Sequence, residues 1–356
     1  MHAIFDVGVV GAGVAGSVCA RALGEAGINV AVLDHSHPRE KPCGGLIENT
    51  VVEELRIPNE ILENEVKWLI AERFGFRSSL SCEPHLFLVS RKDFDNFLLK
   101  QALENKSVTF FPEKVVEVTK DEKRWLLTTS SGRSIRVKKV IGADGCPSTV
   151  RKSVSFPIPP QFLATTVGYV YHCSGKYVEE TFQRNTIEGF YDRRYVPKGG
   201  FLWVFPKRTT INIGVGSIEP GKKLKQALSR FVLQHPTGKK LQTLPREFYT
   251  HVVPAVWTER FFDTSSCSND WALIGDAAAH VNPISGAGIY YAMKDGISCA
   301  SALLNGDLQL YDRYWRREYG DELLWSAKHV LRFYSNLGLF LWLTHVIDNR
   351  MRQLLH

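Results

Sequence analysis

Apolar and polar positions along the chain follow two periods, and the changes of period mark its elements. Residues 4–10, IFDVGVV, are a short apolar run broken by Asp6 and closed by glycines, which predicts a buried strand. An alanine-rich stretch after it takes helical spacing, and NVAVL at 29–33 is a second strand-like run ending in Asp34. Strand, helix and strand in this order predict a βαβ unit. LVSRKDFDNFLLKQALE predicts an amphipathic helix headed by Arg91, with Phe94, Phe97, Leu98 and Ala102 on one face. From residue 108 onward VTFFPEKVVEV, RWLLTTS and SIRVKKVIG predict three strands, with turns at Lys120-Asp121 and Ser131-Gly132, as a small sheet flanking the βαβ unit. Between 155 and 262 the runs ATTVGYVYHC, TIEGFYD, FLWVF and INIGVGSI surround one amphipathic helix, KKLKQALSRFVL, which predicts a mixed sheet with a helical cover.

Chemistry enters at the first turn. Gly11, Gly13 and Gly16 stand between the first strand and its helix. The first permits the tight turn, the second lets the backbone approach a pyrophosphate, and the third allows the helix to pack closely on the strand. The helix N-terminus then holds phosphate charge. Asp34 closes the second strand, where a carboxylate accepts hydrogen bonds from a ribose 2′-hydroxyl and repels a 2′-phosphate. FAD or NAD is implied.

Two later segments favour FAD. VIGADGCPSTVRK, 140–152, resembles the second nucleotide-contact motif of flavoproteins built like para-hydroxybenzoate hydroxylase, with Asp144 and Gly145 in the motif positions and Arg151 closing it. ALIGDAAAHVNPISGAGIYYAMKDG, 272–296, resembles their third motif, in which the acid, here Asp276 after Gly275, binds the ribityl and pyrophosphate portion. Gly286, Ala287 and Gly288 open the next helix, whose N–H groups and dipole would stabilise negative charge on the N1/O2 edge of a reduced flavin. The resemblance implies a flavin contact for Arg91 and completes the expected cofactor set with Ala15 and Val116. It implies an α/β fold, a Rossmann-type FAD-binding domain with a second, mixed-sheet substrate domain. The expected FAD-binding domain is discontinuous, 1–73, 91–154 and 263–305. The expected substrate domain takes 74–90 and 155–262, and 306–356 is a C-terminal helical segment.

Two further motifs narrow the resemblance. KPCGG at 41–45 and FLWVFPKRTTINIGVG at 201–216 are similar to elements of the geranylgeranyl reductase family: proline-cysteine-glycine-glycine, and aromatic-x-Trp-x-Phe-Pro followed by Gly-x-Gly. This implies that Cys43, Gly44 and Gly45 lie near the flavin ring, as a reactive-site turn in which glycines let the backbone pass close to a flat ring. It implies substrate contacts from Phe201, Trp203, Phe205, Pro206, Gly214 and Gly216. Read from the strand period alone, Phe201, Trp203 and Phe205 share one face, either as a wall for a long apolar substrate or as ordinary core. Phe201 stands where the family usually has tyrosine, and Pro197 lies one residue earlier than the family's proline, so substrate identity stays open. Cys43 has three readings: proton donor, redox-sensitive wall, or small buried hydrophobe.

The activity implied is reduction of carbon–carbon double bonds in an isoprenoid chain by hydride from reduced FAD. The alternatives are a flavin-dependent monooxygenase or halogenase on the same fold, and a non-catalytic flavin-binding redox or lipid-handling protein. One nucleotide-binding glycine motif is present, so NAD(P)H or a ferredoxin would visit transiently as reductant.

Composition adds limits. A chain of 356 residues, 44% hydrophobic and 23% charged, is globular and exceeds what one core usually holds. Its net charge of +7 favours an anionic partner. Lys222, Lys223, Lys225, Arg230, Lys239, Lys240 and Arg246 form a stretch without acids, suited either to an anionic membrane or to plain solvent; nucleic acid is not an expected partner. Seven scattered cysteines give neither a disulfide framework nor a metal site. LGLFLWLTHVI at 337–347 is too short to span a bilayer, though it could lie in an interface. No leader pattern opens the chain, so a cytoplasmic location is expected, with or without membrane association.

Overall fold

The computed structural model describes residues 4–73, 76–218 and 221–335. Numbered along the chain, the strands of its first half are β1 (Ile4–Val10), β2 (Val30–Leu33), β3 (Leu46–Glu48), β4 (Leu62–Arg73), β5 (Phe76–Val89), β6 (Val108–Phe111), β7 (Val115–Asp121) and β8 (Arg124–Thr129). Those of the second half are β9 (Ser134–Gly142), β10 (Leu163–His172), β11 (Thr186–Phe190), β12 (Gly200–Pro206), β13 (Thr210–Ser217), β14 (Arg246–Pro254) and β15 (Trp271–Leu273).

The predicted βαβ unit forms. Strands β1 and β2 pair in parallel from Val7↔Val30 to Val10↔Leu33, and the helix Val14–Glu25 crosses between them. Strands of such β-branched residues are buried on both faces: Val9, Val30 and Val32 are fully enclosed. The sheet continues as β6-β2-β1-β9-β8-β7, with β15 paired in parallel to the end of β9. This corrects the expected small flanking sheet, because the three predicted strands belong to the nucleotide-side sheet itself. The first of them also breaks in two around Pro112, whose missing N–H cannot serve a ladder, and its halves pair at opposite edges. The hairpin turn between β7 and β8 falls on Glu122-Lys123, with Glu122 in the left-handed region.

The second sheet runs β14-β10-β13-β12-β11-β4-β5-β3. Alternation decides its faces. Leu202 and Val204 of β12 join Ile211, Ile213, Leu224, Leu228 and Phe231 in a core under the helix Gly221–Gln234. The odd positions of β12 point the other way, toward the first domain. The expected boundary at 73/74 is corrected here: it falls inside the β4–β5 hairpin, whose two strands both belong to this sheet. Half-buried residues along β4 hide that membership in the sequence.

The chain then returns through β15 and the helix Ile289–Leu304, which packs on Val14–Glu25. Helices Leu310–Trp315 and Asp321–Phe333 follow. The predicted interfacial stretch 337–347 lies outside the described residues. Among the described residues, no helix is long and apolar enough to cross a membrane.

Gly16 sets the crossing of helix over strand, since a Cβ there would lie 1.9 Å from the Gly11 carbonyl oxygen. Gly16→Ala is therefore expected to destabilise the fold by about 1–3 kcal/mol, the usual cost of overpacking. Chemical denaturation checks it; an unchanged midpoint refutes the packing argument.

Candidate functional site

Two cavities meet at one turn. The larger, ≈ 580 Å³, runs along the C-terminal ends of β1, β2, β9 and β15, where open α/β sheets bind ligands. The smaller, ≈ 250 Å³, lies against β12 in the second domain. Pro42, Cys43, Gly286 and Gly288 line both.

The larger cavity collects the three glycine motifs. Gly11, Gly13 and Ala15 form one wall, and a Cβ at Gly13 would meet nothing within 4 Å, so that backbone faces open space. Asp34 lies across from them. It accepts hydrogen bonds from the Ala12 N–H at 2.9 Å and the Ser36 N–H at 2.8 Å. Burial raises its pKa, but the Ser36 and Ala12 hydrogen bonds outweigh that and leave it below the usual carboxylate range. Asp144, Gly275, Asp276, Gly286 and Gly288 also line this cavity. Asp144 is turned toward its own chain, capping the next helix through Ser148 and the Thr149 and Val150 N–H groups. Arg151 ties the second motif to the third by donating to the Ala277 carbonyl at 2.9 Å. Its pKa is pushed down to about 10 by burial.

Three expected cofactor residues sit elsewhere. Gly16 packs beneath Gly11, Ala287 lines the smaller cavity, and Val116 is 49% exposed while Val115 faces the slot. Strand alternation explains the last: a one-residue shift exchanges faces.

The turn at 40–45 is held by a different element at nearly every residue. Glu40 accepts from the Arg91 and Lys92 N–H groups at the start of helix Arg91–Leu103, where negative charge is favoured. Lys41 Nζ reaches Asp276 at 3.1 Å. Burial raises the Asp276 pKa, but the Lys41 charge and hydrogen bond hold it below its ordinary value. Cys43 lies beside the buried Arg91, whose guanidinium also grips Asp95 through two bonds of 2.8 Å. A Cβ on Gly44 would stand 2.4 Å from the Phe205 ring, and one on Gly45, at φ +77°, would stand 2.2 Å from the Val89 carbonyl oxygen. Only glycine satisfies both approaches.

The smaller cavity is walled by Phe201, Trp203 and Phe205, with Gly216 beside them. Gly214 supports this wall from behind: a Cβ there would lie 2.2 Å from the Trp203 ring. Pro206 is buried at the strand end, its carbonyl accepting from Asn64 Nδ2 at 2.9 Å. Neither of these two lines the cavity.

A family described as an FAD binding domain matches residues 5–170. The digeranylgeranylglycerophospholipid reductase of Methanococcus vannielii is 26% identical over 98% of this chain and 88% of its own. The geranylgeranyl diphosphate reductase of Rhodobacter capsulatus is 29% identical over 89% of this chain and 81% of its own. The chain is an FAD-dependent oxidoreductase similar to these reductases. Two solved structures agree in fold. A geranylgeranyl bacteriochlorophyll reductase-like protein from Thermoplasma acidophilum has TM-score 0.76 at 20% identity, covering 94% of this chain and 88% of that one. A flavin-dependent brominase has TM-score 0.73 at 19% identity, covering 98% and 92%.

The residues present in this flavoprotein fit the cofactor. An open cradle at Gly13, a carboxylate at Asp34 for ribose and a carboxylate at Asp276 for ribityl hydroxyls line one slot long enough to end at Cys43. Sequence reasoning missed four residues there. Asn212 accepts from the Trp203 indole at 2.8 Å and the Tyr249 hydroxyl at 2.9 Å, and donates to the Cys43 carbonyl at 3.3 Å. Burial raises the Tyr249 pKa. His251 lines the slot near Lys41, and burial, then the Lys41 charge, pushes its pKa down to about 4, so it is neutral at pH 7. Lys41 was read only as a motif neighbour. The one usable signal was Asn212, a polar residue inside the apolar run INIGVG.

Two outcomes follow for this oxidoreductase. A carboxylate with a depressed folded pKa stabilises above its unfolded value, near pH 4, and loses that stabilisation as pH falls through the folded one. Lys41→Met lets Asp276 titrate higher, so acid unfolding of the flavin-free protein should begin at higher pH. An unmoved midpoint rejects the pairing. Asn212→Ala should cost about 1–3 kcal/mol by orphaning buried donors, and should speed alkylation of Cys43 read by peptide mass spectrometry; equal labelling rates reject Asn212 as the anchor of that turn.

Proposed function

We propose that this flavoprotein reduces carbon–carbon double bonds of an isoprenoid chain. The observation that supports the reading is the apolar, aromatic-walled cavity opening onto the cofactor slot at Cys43. A prenyl chain is apolar and flexible, and burying it along Phe201, Trp203 and Phe205 draws on the hydrophobic effect while excluding water. The relatives whose names specify geranylgeranyl groups support the same substrate class.

Bound FAD supplies the hydride. The chain's own residues do the rest. Asn212 fixes the Trp203 indole and the Cys43 carbonyl together, so the alkene and the reactive turn share one frame. Cys43 is the proposed proton donor at Sγ, oriented by the neighbouring Arg91 guanidinium. The N-terminus of helix Ile289–Leu304, opened by Gly286 and Gly288, offers N–H groups to negative charge. A nicotinamide or ferredoxin reductant docks transiently.

The brominase neighbour keeps oxygenation or halogenation as the second reading, since fold alone does not set the reaction. One anaerobic experiment separates them. Dithionite-reduced protein mixed with geranylgeranyl lipids and prenylated quinones should be reoxidised, with a product mass gain of two hydrogens. Failure with every prenyl compound, together with oxygenation of a phenol or indole in air, overturns the proposal. Cys43→Ala should keep flavin and lose about 100-fold or more in turnover, the scale of a lost general acid; full turnover removes Cys43 from the chemistry.

A further inference from the structure

Two cross-strand rows of the second sheet point at the site, and strand register fixes both. In one, Trp203 lies opposite Gly214, Gly214 opposite Gly168, and Gly168 opposite Tyr249. The next row is Phe201, Gly216, Thr166 and His251. Residues paired across antiparallel strands share a face, so each row is one line of side chains. Glycines let the rings of the first row lean inward: a Cβ on Gly214 would lie 2.2 Å from the Trp203 ring, and one on Gly168 would lie 2.2 Å from the Tyr249 ring. The two rings meet at Asn212.

The second row crosses from one cavity to the other. Phe201, Gly216 and Thr166 line the aromatic cavity, and His251 lines the cofactor slot. Val253, two residues along the same face of β14, lines both. Thr166 Oγ1 donates to the His251 carbonyl at 3.2 Å and holds this end of the row in place. The His251 ring itself makes no hydrogen bond among the described residues. The charges within reach of it are those of Lys41, Asp276, Arg39 and Arg91. Lys41 and Asp276 pair with each other, and Arg91 is held by Asp95. The ring, neutral at pH 7, keeps one donor and one acceptor for whatever fills the slot beside Asp276.

We propose that the second sheet supplies a cofactor contact outside the three nucleotide motifs, the His251 imidazole hydrogen-bonding the flavin end of bound FAD. An uncharged partner at this place has a consequence. In a slot of low dielectric, a cation there would favour the more negative, reduced form of the cofactor, and imidazole holds the cofactor without that bias. The inference rests on the FAD site and is independent of the isoprenoid reading.

The test titrates flavin-free protein with FAD, follows the melting temperature of the flavin-free form, and measures the reduction potential of the bound flavin against reference dyes. His251→Ala should weaken FAD binding about two- to tenfold, the scale of one net hydrogen bond, and leave the flavin-free melting temperature nearly unchanged. His251→Gln, which keeps a donor and an acceptor, should restore most of that affinity. His251→Lys should raise the ratio of reduced to oxidised FAD affinity about tenfold or more, read as a higher potential. Unchanged FAD affinity in His251→Ala overturns the contact. A loss of affinity matched by a lower flavin-free melting temperature and not restored by glutamine also overturns it, in favour of a packing role. An unmoved potential in a folded, FAD-loaded His251→Lys protein overturns the placement at the flavin end.

Discussion

Everything at this site depends on how closely two backbone segments approach at Gly44 and Gly45. The Gly44 main chain lies on the Phe205 ring, and the Gly45 main chain, in a left-handed conformation, lies on the Val89 carbonyl. Any side chain at either position would push the 40–45 turn off the second sheet. With both glycines in place the turn touches β12 directly, and the two cavities become continuous at Cys43. Neighbouring interactions then hold the turn in register: Glu40 on a helix start, Lys41 on Asp276, and the Cys43 carbonyl on Asn212. The first two anchor the turn to the nucleotide domain and the third ties it to the second sheet, so the turn is also part of what joins the domains.

A second constraint lies behind the cofactor slot. Asp295, fully buried, accepts from the Gly275 N–H at 2.7 Å, from His280 Nδ1 at 2.8 Å and from the Tyr319 hydroxyl. Both ends of the 275–280 turn are thereby held by one carboxylate, which sets where Asp276 points. A buried carboxylate is tolerated because several donors surround it. Arg151 reaches the same turn at Ala277, so the second and third motifs are positioned together. Gly275 itself sits at φ +62°, a conformation that the Asp295 contact and the glycine jointly permit.

The alternation of β12 shows how one strand serves two purposes. Leu202 and Val204 complete a dry core under a helix, and Phe201, Trp203 and Phe205 leave that core and wall the cavity. Apolar residues on both faces are what a period-two reading calls a buried strand, yet here one face is a surface with space before it. Asn212 on the adjacent strand is the polar break that fixes the indole.

The local pattern in the chain determined the βαβ unit with its glycine turns and Asp34, and the face that Phe201, Trp203 and Phe205 share, because each follows from spacing within one short run of neighbouring elements; Asp276 followed from the resemblance of its motif. Motif order across the chain determined the cofactor class. Residue spacing was silent on which strand of 108–142 pairs with which, on the place of Leu62–Arg73 in the second sheet, and on Val115 facing the slot in place of Val116. Those depend on pairings between residues far apart in sequence, which no local period encodes. The contacts of Lys41, Asn212, Tyr249 and His251 were decided by tertiary structure, since each arises where chain segments that are distant in sequence are brought within hydrogen-bonding or Coulombic reach.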